Sequence, residues 1–366
     1  MNKTRIDAIT GLRGLAALLV VYGHSVDWFA LSWKNDFSGE IGVMIFFSLS
    51  GFLMAYLYLG TKFSALSATK YAIARFSRIA PAYLFILLLS FFIYTNIDPN
   101  FVYDISSKNI LRHILFSGNV SVFWSITPEV EFYFLFTLVW AVTSRFLTRL
   151  DIVGLAFLAF GCMILLAYRD VFPGTFVGAK LHYFLFGVIA GICRSKIKTE
   201  NADSTALNIL HALLIASMIL IASMVLIGRG ATVLPFSNDK EFYSSILTAA
   251  FGAFLVFSFS FPSALGKLFL GNKVLVLCGE CSFSIYLLHM PVIYFCQKLL
   301  RAPFQIVFFV PFIVLVLGLS WLNYQLVERP GARFIKSAGN LFTRKFVLLF
   351  PLATSAQPLS VESDIR

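Results

Sequence analysis

The sequence predicts an all-α fold: a polytopic membrane bundle of about ten transmembrane helices with both termini cytoplasmic. Three observations predict it. Apolar residues make up 59% of the 366 and charged residues only 13%, against roughly 45–50% and 25% in a soluble domain, and mean hydropathy is +0.84. Apolar runs long enough to cross about 30 Å of hydrocarbon recur along the chain. Lys and Arg gather on one side of those runs.

The candidate spans lie near 11–30, 41–59, 80–95, 121–142, 152–167, 175–193, 207–227, 242–261, 274–297 and 304–326. The first follows Lys3 and Arg5 but is a full span in length and lacks an A-x-A cleavage signal, so it is read as a retained helix. The fifth is short for a crossing, which leaves nine or eleven spans as neighbouring counts. With the N-terminus inside, ten spans put 20 of the 29 basic residues in the cytoplasm, the sense of the positive-inside rule. No connection exceeds about 25 residues or carries the strand-and-helix pattern of a soluble catalytic domain, so any chemistry is expected within the helices. Residues 1–336 read as one transmembrane domain and 337–366 as a short amphiphilic cytoplasmic tail, its stretch Phe346–Leu352 too short to span.

The net charge of +11 is assigned to helix ends facing anionic lipid, so membrane lipids are expected partners and nucleic acid is not. Cys162, Cys193, Cys278, Cys281 and Cys296 all lie in or beside apolar runs and read as packing residues. Cys278 and Cys281 form a lone C-x-x-C without a second pair or a spaced His, so no metal site is expected.

An ionisable residue within hydrocarbon costs about 2.5–3.5 kcal/mol or more, which makes each one a functional candidate. Arg13 and His24 are 11 positions apart, three helical turns plus about 20°, and so share one face about 16 Å apart. Arg13 alone fits snorkelling to lipid phosphate, and His24 alone fits a hydrogen bond to a neighbouring helix. Glu129 and Glu131 follow Trp124 in the fourth span and point about 200° apart, so at most one faces a given cavity. Helical rise puts His24, Glu129 and His289 at similar depths, about 9–12 Å from the outer ends of their helices. Arg75 and Arg78 are expected at the cytoplasmic mouth of the third span, just before Pro81. There two forked guanidiniums suit a phosphate, or simply anchor the helix. His182, near Lys180 at the outer end of the sixth span, borders the same expected cavity. His113 is expected in an external loop and His211 at water or headgroups.

Six segments resemble the membrane-bound acyltransferase-3 family. Arg13-Gly14 with His24 is similar to its R-x10-H signature, and Phe46-Phe47-Ser48-Leu49-Ser50-Gly51-Phe52 to its FFxLSGF segment. Arg75-Phe76-Ser77-Arg78-Ile79-Ala80-Pro81-Ala82-Tyr83 resembles R-x-x-R-I-x-P-x-Y, and the run from Trp124 to Tyr133 resembles W-S-L-x-x-E-x-x-F-Y with Glu129 on the carboxylate position. Ser284-Ile285-Tyr286-Leu287-Leu288-His289-Met290-Pro291 is similar to I-Y-L-x-H-x-P, and Val327-Glu328-Arg329-Pro330 to the closing E-x-P. Glu131 stands one position beyond the second acidic residue of many members, and the length resembles the standalone form without an appended hydrolase-like domain.

The resemblance implies an acyltransferase of the bacterial inner membrane, moving an acyl group, commonly acetyl, from cytoplasmic acetyl-CoA or another acyl-CoA to a hydroxyl of an extracytoplasmic glycan. In that reading Arg13, Arg75 and Arg78 hold the donor's phosphates, and His24 is base or acyl carrier with Glu129 and His289 as further catalytic groups. Trp124, Tyr133 and His182 then face the acceptor. The alternative from the same residues is a proton-coupled transporter or flippase, with the buried His and carboxylate layer as relay and the arginines holding an anionic substrate.

Overall fold

The computed structural model describes residues 6–26, 37–197, 205–226, 236–300 and 308–349, and among them every regular element is helical. The order is α1 (Asp7–Ser25), α2 (Ser38–Met54, continued by a π-helical turn to Leu59), α3 (Ala65–Asn96) and the short α4 (Ile110–Ile114). A 3₁₀ turn (Ser121–Ser125) then leads into α5 (Ile126–Arg149), α6 (Ile152–Ala167), α7 (Val177–Lys196), α8 (Thr205–Leu226), α9 (Asp239–Ser244) and α10 (Ile246–Phe259). Last come α11 (Ala264–Phe269), α12 (Lys273–Glu280), α13 (Ser282–Leu300), α14 (Phe309–Asn323), a π-helical turn (Tyr324–Glu328) and α15 (Arg329–Leu349). Seven of these segments are long and apolar enough to cross a membrane, and Ile152–Ala167, Thr205–Leu220 and Ile246–Phe259 are shorter apolar helices. The chain is an all-α polytopic membrane bundle.

α2 lies at the centre, against α1, α7 and α10. Its approach to α7 depends on Gly51 and Gly187: a Cβ on either would run into the backbone carbonyl of Phe184 or Ser48, respectively. Small residues let membrane helices close to backbone contact, where packing replaces the hydrophobic effect. Aromatic rings fill the remaining space, with Phe184 stacked on Phe132 at 4.2 Å and tilted against Phe47 at 4.8 Å.

Pro291 lies inside α13 and has no N–H, so the Leu287 carbonyl one turn earlier loses its helical donor. The Tyr103 hydroxyl, from the segment after α3, donates to that carbonyl instead (2.8 Å). Asp98, in the same segment, accepts from Tyr294 and Lys298 of α13. The connection between α3 and α5 is thereby clasped to the helix that carries His289.

Several expectations are corrected. α3 begins at Ala65, where Ser64 and Ser67 cap each other's backbone, so Arg75 and Arg78 lie within the helix and Pro81 in its interior. The apolar window missed the first turns because they pack on α15 rather than in hydrocarbon. The expected span 274–297 is two helices divided at Cys281, and 242–261 divides at Ser245, whose hydroxyl caps α10. Trp124 lies in the 3₁₀ turn that opens the membrane-spanning segment Ser121–Arg149 rather than in its α-helical part. His211 is fully buried, bonded to Ser263 and the Ser258 carbonyl, and His113 is buried on α4 against the Asn109 carbonyl. The basic residues Lys3, Arg5, Lys34, Lys198, Arg229, Arg301 and Arg366, and the tail from 350 onward, lie outside the described residues.

Candidate functional site

A cleft opens among α1, α2, α3, α5 and α13, with Arg13, Arg75, Arg78, Ser50, Glu129 and Tyr286 on its walls. Arg13 Nη2 donates to Ser282 Oγ (2.9 Å), the first residue of α13. The Arg75 guanidinium lies 5.8 Å from the ring centroids of both Tyr58 and Tyr71. The Nε atoms of Arg13 and Arg75 are buried without a hydrogen-bond partner among the described residues. Arg13 is within electrostatic reach of Arg78, Glu129 and Glu328, and Glu328 also of Arg78.

Glu129 is held from two sides: Ser50 Oγ donates to its Oε1 at 2.8 Å and Tyr133 OH, one turn later, at 2.7 Å. Its carboxylate therefore stands with the arginines at the cleft. His24 is not among the cleft-lining residues. Glu131 points elsewhere, as the 200° separation requires, and its Oε2 accepts from the Val177 N–H (2.7 Å), capping the N-terminus of α7. Glu328, 8% exposed, accepts from Ser284 (2.6 Å), which in turn accepts from Asn323 (2.9 Å).

α1 and α13 run in the same direction from Arg13 and Ser282 to His24 and His289. The two imidazoles lie 5.2 Å apart, with 32° between their planes. His289 is fully buried. Its Nδ1 faces the Ile285 carbonyl at 3.2 Å, which assigns the proton to Nδ1, and its Nε2 has no partner among the described residues. The exposed His24 lies about 16 Å along the helix from Arg13. Tyr286 joins the two regions: it lines the cleft, shares a hydrogen bond with Ser125 (2.7 Å), and its ring lies 5.9 Å from His289.

Trp124 and His182 belong to a third cluster. The Lys180 ammonium, on a residue 6% exposed, lies 3.6 Å from the Tyr243 ring centroid and 5.7 Å from Trp124. His182 Nε2 bonds the Tyr243 carbonyl (2.9 Å). Tyr133 does not join this cluster. The structure thus brings His24 to His289, Glu129 to Tyr133 and the three arginines to one cleft, and separates His24 from Arg13 by about 16 Å along α1.

Ser50, Ser282, Tyr286, Glu328 and Lys180 were not picked out as site residues from the sequence. Ser50, Tyr286 and Glu328 fall inside the quoted motifs, and that membership was the signal. Ser282 and Lys180 have no such signal, since their roles depend on which helix lies opposite.

Residues 6–324 match the acyltransferase-3 family model, described as an acyltransferase domain. Among curated proteins, the O-acetyltransferase OatA of Staphylococcus aureus strain NCTC 8325 is 22% identical over 407 residues, covering 98% of this chain and 64% of that protein. A second Staphylococcus aureus protein, from strain COL and provisionally named an O-acetyltransferase, is 25% identical over 376 residues, covering 90% of this chain and 59% of its own length. The chain thus spans under two thirds of the length of either relative. No solved structure matches. With the match running through α1 to α14 and the cleft lying inside it, the chain belongs to the acyltransferase-3 family.

Proposed function

We propose that this protein is an O-acetyltransferase of the bacterial inner membrane. It moves an acetyl group from acetyl-CoA, bound through its phosphates at the arginine cleft, to a hydroxyl of a glycan presented at the histidine end. The observation that carries the reading is the pairing of an arginine-lined cleft, two of whose buried Nε atoms lack acceptors, with the His24–His289 pair at the far end of the same two helices. Guanidinium forks match phosphate oxygens, and a flexible thioester arm running along α1 and α13 past Tyr286 joins the two ends.

The chemistry asks for a base and for charge stabilisation. The acceptor oxygen attacks the thioester carbonyl carbon, its proton passes to an imidazole, and the C–S bond breaks to release coenzyme A. His24, the accessible member of the pair, is the base or the acyl carrier. His289, with its proton fixed on Nδ1, offers Nε2 as the second catalytic group. Glu129, fixed by Ser50 and Tyr133, balances the arginines and keeps them aimed into the cleft. Trp124 and His182, with Lys180 beside them, face the acceptor. The O-acetyl transfer rests on what the relatives are named for, and the glycan acceptor on what the family resemblance implies.

Label transfer from radiolabelled acetyl-CoA to glycan in inverted membrane vesicles tests the reading. Donor-dependent labelling that is lost in His24→Ala supports it. Uptake of an anionic substrate with no dependence on acyl donor would point instead to a transporter.

A further inference from the structure

The last helix carries basic residues that no catalytic role has yet used. α15 packs along α3 in a defined register: Gly331 faces Pro81 and Gly339 faces Ile73, eight residues along each helix in opposite directions. That antiparallel register sets Lys336 level with Phe76, between Arg75 and Arg78. Lys336 is exposed, and its electrostatic neighbours are those two arginines, both of which line the cleft.

The charge balance around these arginines is uneven. Arg13, Arg75, Arg78 and Lys336 are four cations, while the carboxylates within reach of Arg13 are the two of Glu129 and Glu328. Two positive charges are left over, a mutual repulsion that an anion of about two charges would relieve. The buried, acceptorless Nε atoms of Arg13 and Arg75 are a second and independent sign that an anionic acceptor belongs there.

We propose that Lys336 of α15 completes, with Arg75 and Arg78 of α3, a phosphate-ester subsite at the mouth of the cleft, so that the terminal helix is part of the ligand site. If the ligand is the acyl donor, the proposal rests on the function proposed above. An anionic lipid headgroup presents the same chemistry. An exposed lysine serves here as a mobile point charge, which suits capture of a phosphate at the rim, while the arginines behind it fix its orientation.

The test uses the full chain in phosphatidylcholine nanodiscs titrated with coenzyme A, comparing wild type, Lys336→Gln, Lys336→Arg and a control at another exposed basic site, Lys62→Gln. Losing one charge-assisted phosphate contact should weaken coenzyme A binding about tenfold in Lys336→Gln and about twofold or less in Lys336→Arg. A second arm measures phosphatidylglycerol retained after purification from mixed lipid. Weakening in the first arm alone assigns the subsite to the donor, and loss of retained lipid alone assigns it to a headgroup. Equal affinities and equal lipid in wild type and Lys336→Gln, or the same weakening in Lys62→Gln, overturn the proposal. If wild type itself does not bind coenzyme A, the donor reading has failed, and the lipid arm alone decides the subsite.

Discussion

Glu129→Gln is the substitution that separates charge from shape at the cleft. The side chain keeps its length and one acceptor oxygen, so Ser50 (2.8 Å) and Tyr133 (2.7 Å) still have something to donate to. Hydrogen bonds to a charged group contribute about 1.5–3 kcal/mol where neutral ones contribute about 0.5–1.5, so each bond weakens by about 1 kcal/mol. Two bonds give about 2 kcal/mol, or about a thirtyfold slower transfer if the carboxylate is needed at full charge in the transition state. Ser50→Ala and Tyr133→Phe each remove one bond to the carboxylate, about 1.5–3 kcal/mol, and leave the charge, so each should slow transfer about ten- to a hundredfold. The assay is acetyl transfer in inverted vesicles at matched membrane levels. If Glu129→Gln transferred within twofold of wild type while Tyr133→Phe was strongly impaired, the carboxylate's charge would not be what the site uses, and the reasoning would be refuted.

Other expectations concern the frame around the site. Tyr103→Phe leaves the Leu287 carbonyl without the donor that Pro291 cannot supply, and should cost about 1–3 kcal/mol, seen as a lower melting temperature in detergent. Glu131→Ala removes the cap on α7, which should lower stability by about 1 kcal/mol and leave the transfer rate per folded molecule unchanged. Gly187→Val drives a side chain into the Ser48 carbonyl, so little folded protein should survive extraction, as size-exclusion profiles would show. The Asp98 carboxyl is lowered to about 2 by the Lys298 and Tyr294 hydrogen bonds. Its stabilisation is therefore complete above about pH 4, the unfolded value, and fades as pH falls toward about 2. The melting-temperature difference between wild type and Asp98→Asn should close over that window and stay constant above it.

Much of the fold was legible because apolar run length reports directly on membrane helices: seven of the ten expected segments hold helices long and apolar enough to span, and the other three hold shorter apolar helices. The places it failed share one cause. The first turns of α3 and α15 are amphipathic helices that pack on each other, and a window tuned to hydrocarbon passes over them. His211 looked like an interfacial residue because its sequence neighbours do not reveal Ser258 and Ser263, which arrive from α10 and the start of α11 to satisfy both ring nitrogens.

At the site, single-helix arithmetic placed Arg13 and His24 on one face of α1 and separated Glu129 from Glu131. It could not say what stood opposite each. His24 and Glu129 were expected at one depth, yet Glu129 is held at the arginine cleft by Ser50 and Tyr133, and the partner beside His24 is His289. The expectation measured depth from helix ends, and α5 does not begin where the apolar run does: the 3₁₀ turn at Ser121–Ser125 intervenes. Lys180 carries no site signal of its own in the sequence, because the Trp124 and Tyr243 rings that surround it come from distant parts of the chain.

The most direct measurement is label transfer from radiolabelled acetyl-CoA to glycan in inverted vesicles carrying wild type, His24→Ala or His289→Ala at equal membrane levels. The account predicts donor-dependent labelling by wild type and a fall of about 10²–10⁴-fold on loss of His24, with His289→Ala also impaired. Transfer by His24→Ala at the wild-type rate would contradict it.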